Sequence, residues 1–104
     1  MQFINPNNFT ASRAWGALDI ADIEGASVRL HWTDAPYKWH VNDGDEVFVV
    51  LDGLVDMHTR DADGTEHITR MAAGHIYHAQ MGDAHVAHPI GPARVLVIEK
   101  KGSV

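Results

Sequence analysis

The sequence predicts an all-β protein, and two observations support this prediction. Short runs of alternating apolar and polar residues are separated by Gly, Asp, Asn and Pro, which is the pattern of short strands joined by turns. No stretch shows a sustained helical period with a cap at each end. About seven short strands in a chain of this length indicate a sandwich or a small barrel, and a barrel of about eight strands can hold one small ligand.

The strands are predicted in order from residue 26 onwards. Val28, Leu30 and Trp32 alternate with polar residues, which predicts a strand near 26–33, and a second short strand approaches His40. A turn at 42–45 leads into 46–51, whose apolar residues after Glu46 are typical of a strand buried on both faces. Further strands are predicted at 54–59, 65–69, 76–79, 84–88 and 94–99, with breaks at Gly53, at 61–64, at Gly82 and between Pro89 and Pro92.

Composition restricts the classes of partner and site. The chain has 104 residues, which predicts one domain, and it carries a net charge of -6 without any cluster of basic residues. We therefore expect neither nucleic acid nor an anionic membrane as a partner. The absence of cysteine excludes disulfides and thiolate metal sites. The start of the sequence lacks the features of a signal peptide, and the longest aliphatic or aromatic run is 47–51, so a cytoplasmic protein is expected.

Histidine is unusually frequent, and one of the eight lies in the stretch WHVNDGDE at 39–46. On a strand, His40 and Asn42 point to the same side, and a reversal at 42–45 is expected to place Glu46 opposite them in a hairpin. Cross-strand neighbours lie about 4.5–5.5 Å apart at Cβ, which is close enough to share one ion. Two imidazoles and a carboxylate are the set used by non-haem iron, and similar sites bind manganese, nickel or zinc. His85, which begins a strand after the turn at Gly82, is the best candidate for the second imidazole.

These residues resemble two motifs of the cupin family. The first motif reads G-x5-H-x-H, then three or four residues, then E-x6-G, and its spacing is matched by His40, Asn42, Glu46 and Gly53. The second motif reads G-x5-P-x-G-x2-H-x3-N, and it is matched in register by Gly74, Gly82 and His85. The resemblance extends from about residue 28 to 99, and the chain looks like the conserved-barrel small cupins of the mannose-6-phosphate-isomerase-like kind. The departures from the motifs are Asp34 for the first glycine, Asn42 for the second histidine, Gln80 for the proline and Pro89 for the asparagine.

The resemblance implies a small double-stranded β-helix, or jelly-roll, barrel. It also implies one divalent metal ion per chain (Fe, Mn, Ni or Zn), with His40, Glu46 and His85 as ligands. Asn42 is expected to be a weak ligand or to act through a water, because an amide oxygen is a poorer ligand than imidazole for these ions. Small cupins commonly pair through their sheets, so the resemblance further implies a homodimer.

We expect residues 26–104 to form the barrel and residues 1–25 to form an N-terminal segment. Leu18, Ile20 and Ile23 in that segment could belong to a strand or to a short helical turn. The segment is too apolar for a free tail, so it is expected to pack on the barrel or on a neighbouring subunit. The residues predicted to line the pocket beside the ion are Phe48, Gln80, His31 and Met57.

Two functions follow from this site, and the sequence favours the first over the second. The first is a metal-dependent enzyme of the dioxygenase or isomerase type, acting on a small polar organic molecule through the open positions on the ion. The alternative is a non-catalytic cupin that binds or senses a metal or a small ligand, since a fold does not determine a function. A metal-free structural barrel is the third and weakest interpretation, because it leaves the spacing of the three ligands without a purpose.

Overall fold

Seven strands and one short 3-10 turn make up the secondary structure of the computed structural model, which describes residues 1–103. The 3-10 turn is Pro6–Asn8. The strands are β1 (Gly16–Ile23), β2 (Ala26–Thr33), β3 (His40–Val41), β4 (Glu46–Arg60), β5 (Glu66–Met71), β6 (Ile76–Ala79) and β7 (Ala84–Lys100). The all-β prediction is confirmed, and the ambiguous N-terminal segment contains a strand, β1, that pairs with β2 from Gly16 to Ile23.

Two long strands organise the fold. The first half of β4 pairs with the second half of β7 and with β6, whereas the second half of β4 pairs with the first half of β7 and with β5. With β1 and β2 beside the second half of β7, and β3 beside its first half, this pairing forms two facing antiparallel layers. The arrangement is a jelly-roll barrel. None of residues 1–103 lies in a helix long and apolar enough to cross a membrane.

The predicted breaks within β4 and β7 were wrong. Gly53 adopts a φ of 83°, and the pairing register shifts on both sides of Asp52, so β4 bends through a bulge and continues. Likewise, β7 runs without interruption through Pro89 and Pro92. Each pair of short strands predicted there is one long strand that passes from one layer to the other.

The core fills the space between the two layers. Alternate residues of β4 and β7 point inward, and Met71 from β5 completes the cluster. The buried members of this cluster are Phe48, Val50, Val55, Met57, Met71, Ala87, Ala93, Val95 and Val97.

The predicted hairpin between the strand at His40 and the strand at Glu46 was also wrong. The short strand β3 pairs with β7, so that His40 lies opposite His85. Backbone hydrogen bonds join the turns that follow β3 and precede β7, with Asn42 N donating to Asp83 O at 2.9 Å and Gly82 N donating to Asn42 O at 2.8 Å. The chain after Asn42 therefore crosses to the facing layer, where Glu46 begins β4.

Candidate metal centre

Three potential metal ligands converge between the two layers at one end of the barrel. His40 and His85 are cross-strand neighbours whose ring centroids lie 4.2 Å apart, and Glu46 approaches them from the facing layer. Glu46 Oε1 is 3.3 Å from His85 Nε2 and 3.9 Å from His40 Nε2. One ligand atom from each residue lies within 4.8 Å of the other two. His85 and Glu46 are almost fully buried.

The Glu46 carboxylate is held in its anionic form. Burial by itself raises the pKa of Glu46, but contacts from His40, His85 and Asn42 outweigh this effect and bring the pKa well below its ordinary value. The Asn42 amide donates directly to the carboxylate, with Nδ2 3.0 Å from Oε1. In turn, the contact with Glu46 is the main reason that the pKa of His40 is raised. The site is therefore a buried anion surrounded by nitrogen atoms.

His40 is oriented as a metal ligand should be. Its Nδ1 lies 3.1 Å from the carbonyl oxygen of Lys38, and because a carbonyl can only accept, Nδ1 carries the hydrogen in this contact. With Nδ1 held by the backbone, Nε2 is the ring nitrogen that faces Glu46, and once it is deprotonated it is the atom that metal-bound histidines of this tautomer use.

The residues present fit a divalent ion. Two ligand atoms that each lie about 2.1 Å from an ion are about 3.0–3.4 Å apart at coordination angles between a right angle and the tetrahedral value. The 3.3 Å between Glu46 Oε1 and His85 Nε2 falls in this range. The 3.9 Å between Glu46 Oε1 and His40 Nε2 is slightly longer, and a small side-chain movement would close the difference. Within residues 1–103, Asn42 Oδ1 is buried without a hydrogen-bond partner, and a water bound beside the ion would satisfy it. Imidazole and carboxylate together suit iron, manganese, nickel and zinc.

A cavity of about 180 Å³ opens beside these three residues. Its wall includes the aromatic rings of Trp15 and Tyr37, whose centroids are 5.4 Å apart. Trp15 has a φ of 61°, which a bulky residue rarely adopts, and its indole Nε1 donates to Ala35 O at 2.9 Å. Strained residues of this kind cluster at functional sites. The volume is below the roughly 300–1,000 Å³ of pockets for drug-sized ligands, so the cavity suits a small molecule.

The structure places two of the four predicted pocket residues in this cavity. Phe48 and His31 line it, and His31 Nδ1 donates to the carbonyl of Trp15 at 3.1 Å. Burial lowers the pKa of His31, which favours its neutral form. Met57 lies in the core and faces a different cavity, because the inner face of β4 turns away from the site after the bend at Gly53. Gln80 is exposed in the turn before β7, where its backbone N donates to Asp83 Oδ2, so it lies outside the cavity.

Three polar residues of the cavity wall were missed by the sequence prediction: Arg29, Glu99 and Ser103. Arg29 lies two residues from His31 on the same strand, so the alternation of β2 could have revealed it. Glu99 is the cross-strand partner of Glu46, a pairing that depends on the register between β4 and β7. Burial is the main cause of the raised pKa of Glu99, and the charge of Glu46 adds to it.

Fold and site together define a class of protein: the chain has the fold of small single-domain cupins and carries a His/Glu/His group that could hold a metal. Among solved structures it is similar to a cupin-2 domain containing protein from Shewanella frigidimarina, with 25% identity over 94% of each chain and a TM-score of 0.79. It is also similar to a cupin superfamily protein from Desulfitobacterium hafniense, with 12% identity over 91% of this chain and 85% of that chain and a TM-score of 0.76.

A larger enzyme contains the same fold. A hydroquinone 1,2-dioxygenase in complex with Fe³⁺ is 16% identical to this chain, with a TM-score of 0.77 over 88% of this chain and 29% of the enzyme chain. No family model matches the sequence, and no curated protein matches it. The finer likeness to mannose-6-phosphate-isomerase-like cupins stays a prediction.

Proposed function

We propose that this cupin binds one divalent metal ion per chain through His40, Glu46 and His85, and that it is an enzyme of the dioxygenase or isomerase type acting on a small polar organic molecule. The convergence of the three ligand atoms within 4.8 Å is the observation that carries the proposal. The similar fold of an iron-containing hydroquinone dioxygenase supports it.

The residues around the site have separable tasks in this proposal. A divalent ion, when bound, supplies Lewis-acid polarisation and open coordination positions for a substrate or O₂. Glu46 brings the negative charge that attracts the ion, and Asn42 keeps its carboxylate in place. Trp15 and Tyr37 limit the size of what can enter. His31, kept neutral by burial, offers Nε2 as a hydrogen-bonding group in the wall.

The second candidate is a cupin that holds a metal or a small ligand without turnover. Its supporting observation is the depth of the ligands, since His85 exposes 2% and Glu46 5% of the residue surface. An ion enclosed to this degree has few positions for a reaction, whereas a storage or sensing role needs only one exchangeable position.

Metal content tests the site. Tag-free wild-type protein is expected to retain near-stoichiometric metal in ICP-MS, whereas Glu46→Gln and His85→Gln lose it. His67→Gln is the matched control, because His67 forms an exposed pair with a carboxylate, Asp61, at 2.7 Å. Metal retained in both site variants would show that the ion is bound elsewhere.

Turnover separates the two candidates. A panel of diols and carbonyl compounds is incubated with the metal-loaded wild type and with Glu46→Gln, in air and without O₂. An enzyme gives products that depend on Glu46, and O₂ dependence then identifies an oxygenase. Binding without any product favours the storage or sensing role.

A further inference from the structure

Arg29 is one of the residues that line the cavity beside the candidate metal centre, and together with Asp19 it also lines a neighbouring cavity. Its strand, β2, runs between β1 and β7, and Arg29 and His31 point to the same side of that strand. Arg29 Nε donates to Asp19 Oδ1 at 2.6 Å. Within residues 1–103, this is the single side-chain hydrogen bond of Arg29, so the two terminal nitrogens, with four N–H groups, remain available.

The ion pair with Asp19 leaves Arg29 able to bind another anion. The Asp19 side chain is 80% exposed and that of Arg29 is 42% exposed, and ion pairs in such surroundings contribute little free energy. The two terminal nitrogens of a guanidinium offer parallel N–H groups, and this spacing matches the two oxygens of a carboxylate.

We infer that the cavity selects small carboxylates, with Arg29 as the residue that determines this specificity. A 2-oxo acid fits the site, because its carboxylate can pair with Arg29 while the planar remainder lies between Trp15 and the ligand histidines. The volume of about 180 Å³ limits the ligand to a few non-hydrogen atoms. The part of the inference that concerns the metal end rests on the proposed function, whereas the pairing with Arg29 does not require the ion.

Glu99 opposes an incoming anion, since it lines the same cavity. Removing its charge should therefore strengthen carboxylate binding without changing the metal ligands. Glu99→Gln is expected to bind a carboxylate more tightly than the wild type, and a neutral ligand equally well. An unchanged carboxylate affinity in Glu99→Gln would argue that the anion lies away from this wall.

The experiment compares pyruvate with its neutral isostere pyruvamide by chemical-shift titration of ¹⁵N-labelled protein, both metal-free and loaded with Zn²⁺. Wild type is expected to bind pyruvate at least about tenfold more tightly than pyruvamide, as hydrogen bonds between charged groups imply. Arg29→Gln reduces this ratio to near one, and Arg29→Lys restores part of it. Arg70→Gln is the matched control, because Arg70 pairs with the cross-strand residue Asp56 on a different strand pair, β4 and β5.

The outcomes separate this inference from the proposed function. A ratio near one in the wild type, or a ratio unchanged in Arg29→Gln, overturns the carboxylate specificity whatever the metal content. The protein could fail to bind Zn²⁺ while its metal-free form still prefers pyruvate over pyruvamide. This result would overturn the proposed metal function and would still support the pairing with Arg29. If Arg70→Gln also lost the preference for pyruvate over pyruvamide, that preference would depend on the net charge of the protein. This result would overturn the assignment to Arg29.

Discussion

Asn42 holds the Glu46 carboxylate, although it stands where the family usually has a second histidine. Because its amide donates to the same oxygen that faces both imidazoles, Asn42 fixes the ligand rather than replacing one. Asn42→Ala should therefore weaken divalent metal binding by about 10–100-fold, the usual cost of removing a residue that orients a metal ligand. Chelator competition measures the affinity. Gln80→Ala, which removes an exposed amide outside the cavity, should leave it unchanged.

Tyr77 gives a pH-dependent signal inside the barrel. Burial, with smaller effects from the charges of Asp83 and Glu46, raises the pKa of Tyr77 to about 12 from 10.0. The folded state thus favours the neutral phenol, so its contribution to stability is fully present below pH 10 and is lost as the pH rises toward 12. In a pH titration, the difference in phenolate absorbance between metal-free wild type and Tyr77→Phe should reach half its full value near pH 12. A midpoint near 10 would mean that the phenol is solvated.

At the scale of single residues, the sequence was most informative where family spacing applied. The motif positions of His40, Glu46 and His85 predicted the three residues that the structure brings together. The alternation of β2 about His31 could have revealed Arg29, whereas Glu99 was out of reach, since its approach to the site depends on how β4 and β7 are registered against one another. The hydrophobic pattern and the turns constrain register, but they do not show which of several strands will be the partner.

The pairing of strands in two layers depends on the bend of β4 at Gly53. A Cβ on Gly53 would lie 2.5 Å from Pro92 O and 3.1 Å from Ala93 Cα, and the φ of 83° already disfavours any residue with a side chain. Gly53→Ala should therefore lower the free energy of unfolding by roughly 2–5 kcal/mol, combining strain with overlap. Chemical denaturation measures this loss.

Gly64→Ala is the control for that experiment. Gly64 has a nearly equal φ of 86°, but no atom of the described residues lies within 4 Å of the Cβ position. Only the left-handed conformation is then disfavoured, at a cost of roughly 1–2 kcal/mol. Equal losses in the two variants would show that the close approach to Pro92 contributes nothing.

The sequence predicted where strands lie better than it predicted how the strands continue and which strands pair. The strands at 26–33 and 76–79 were predicted with the observed bounds, because period-two alternation and flanking turn residues mark them clearly. Gly53, Pro89 and Pro92 were interpreted as ends, although in the structure they bend strands that continue. The error at β3 had the same origin, because a turn sequence shows that the chain reverses without showing which strand it will meet.

At the scale of the whole molecule, the N-terminal segment joins the barrel along part of its length. The Arg94 side chain donates to Phe9 O at 2.7 Å and to Thr10 Oγ1 at 3.1 Å, and β1 extends the sheet beyond β2. Further toward the start, the Phe3 side chain is left 93% exposed. Large apolar side chains this exposed often mark interaction surfaces. We therefore propose that Phe3 contacts a second copy of the chain. The cytoplasmic location expected from the sequence is a separate point and stays a prediction.

A homodimer has twice the chain mass of 11.5 kDa, and light scattering coupled to size exclusion measures it directly. Wild type is expected to elute as the dimer, and Phe3→Ser should raise the dimer dissociation constant about tenfold or more, because an apolar side chain no longer leaves water on association. Ile76→Ser is the control: Ile76 is 67% exposed on β6, away from the N-terminal segment. A monomeric wild type refutes the dimer. A dimer that withstands Phe3→Ser but dissociates with Ile76→Ser would place the interface at the β6 edge instead.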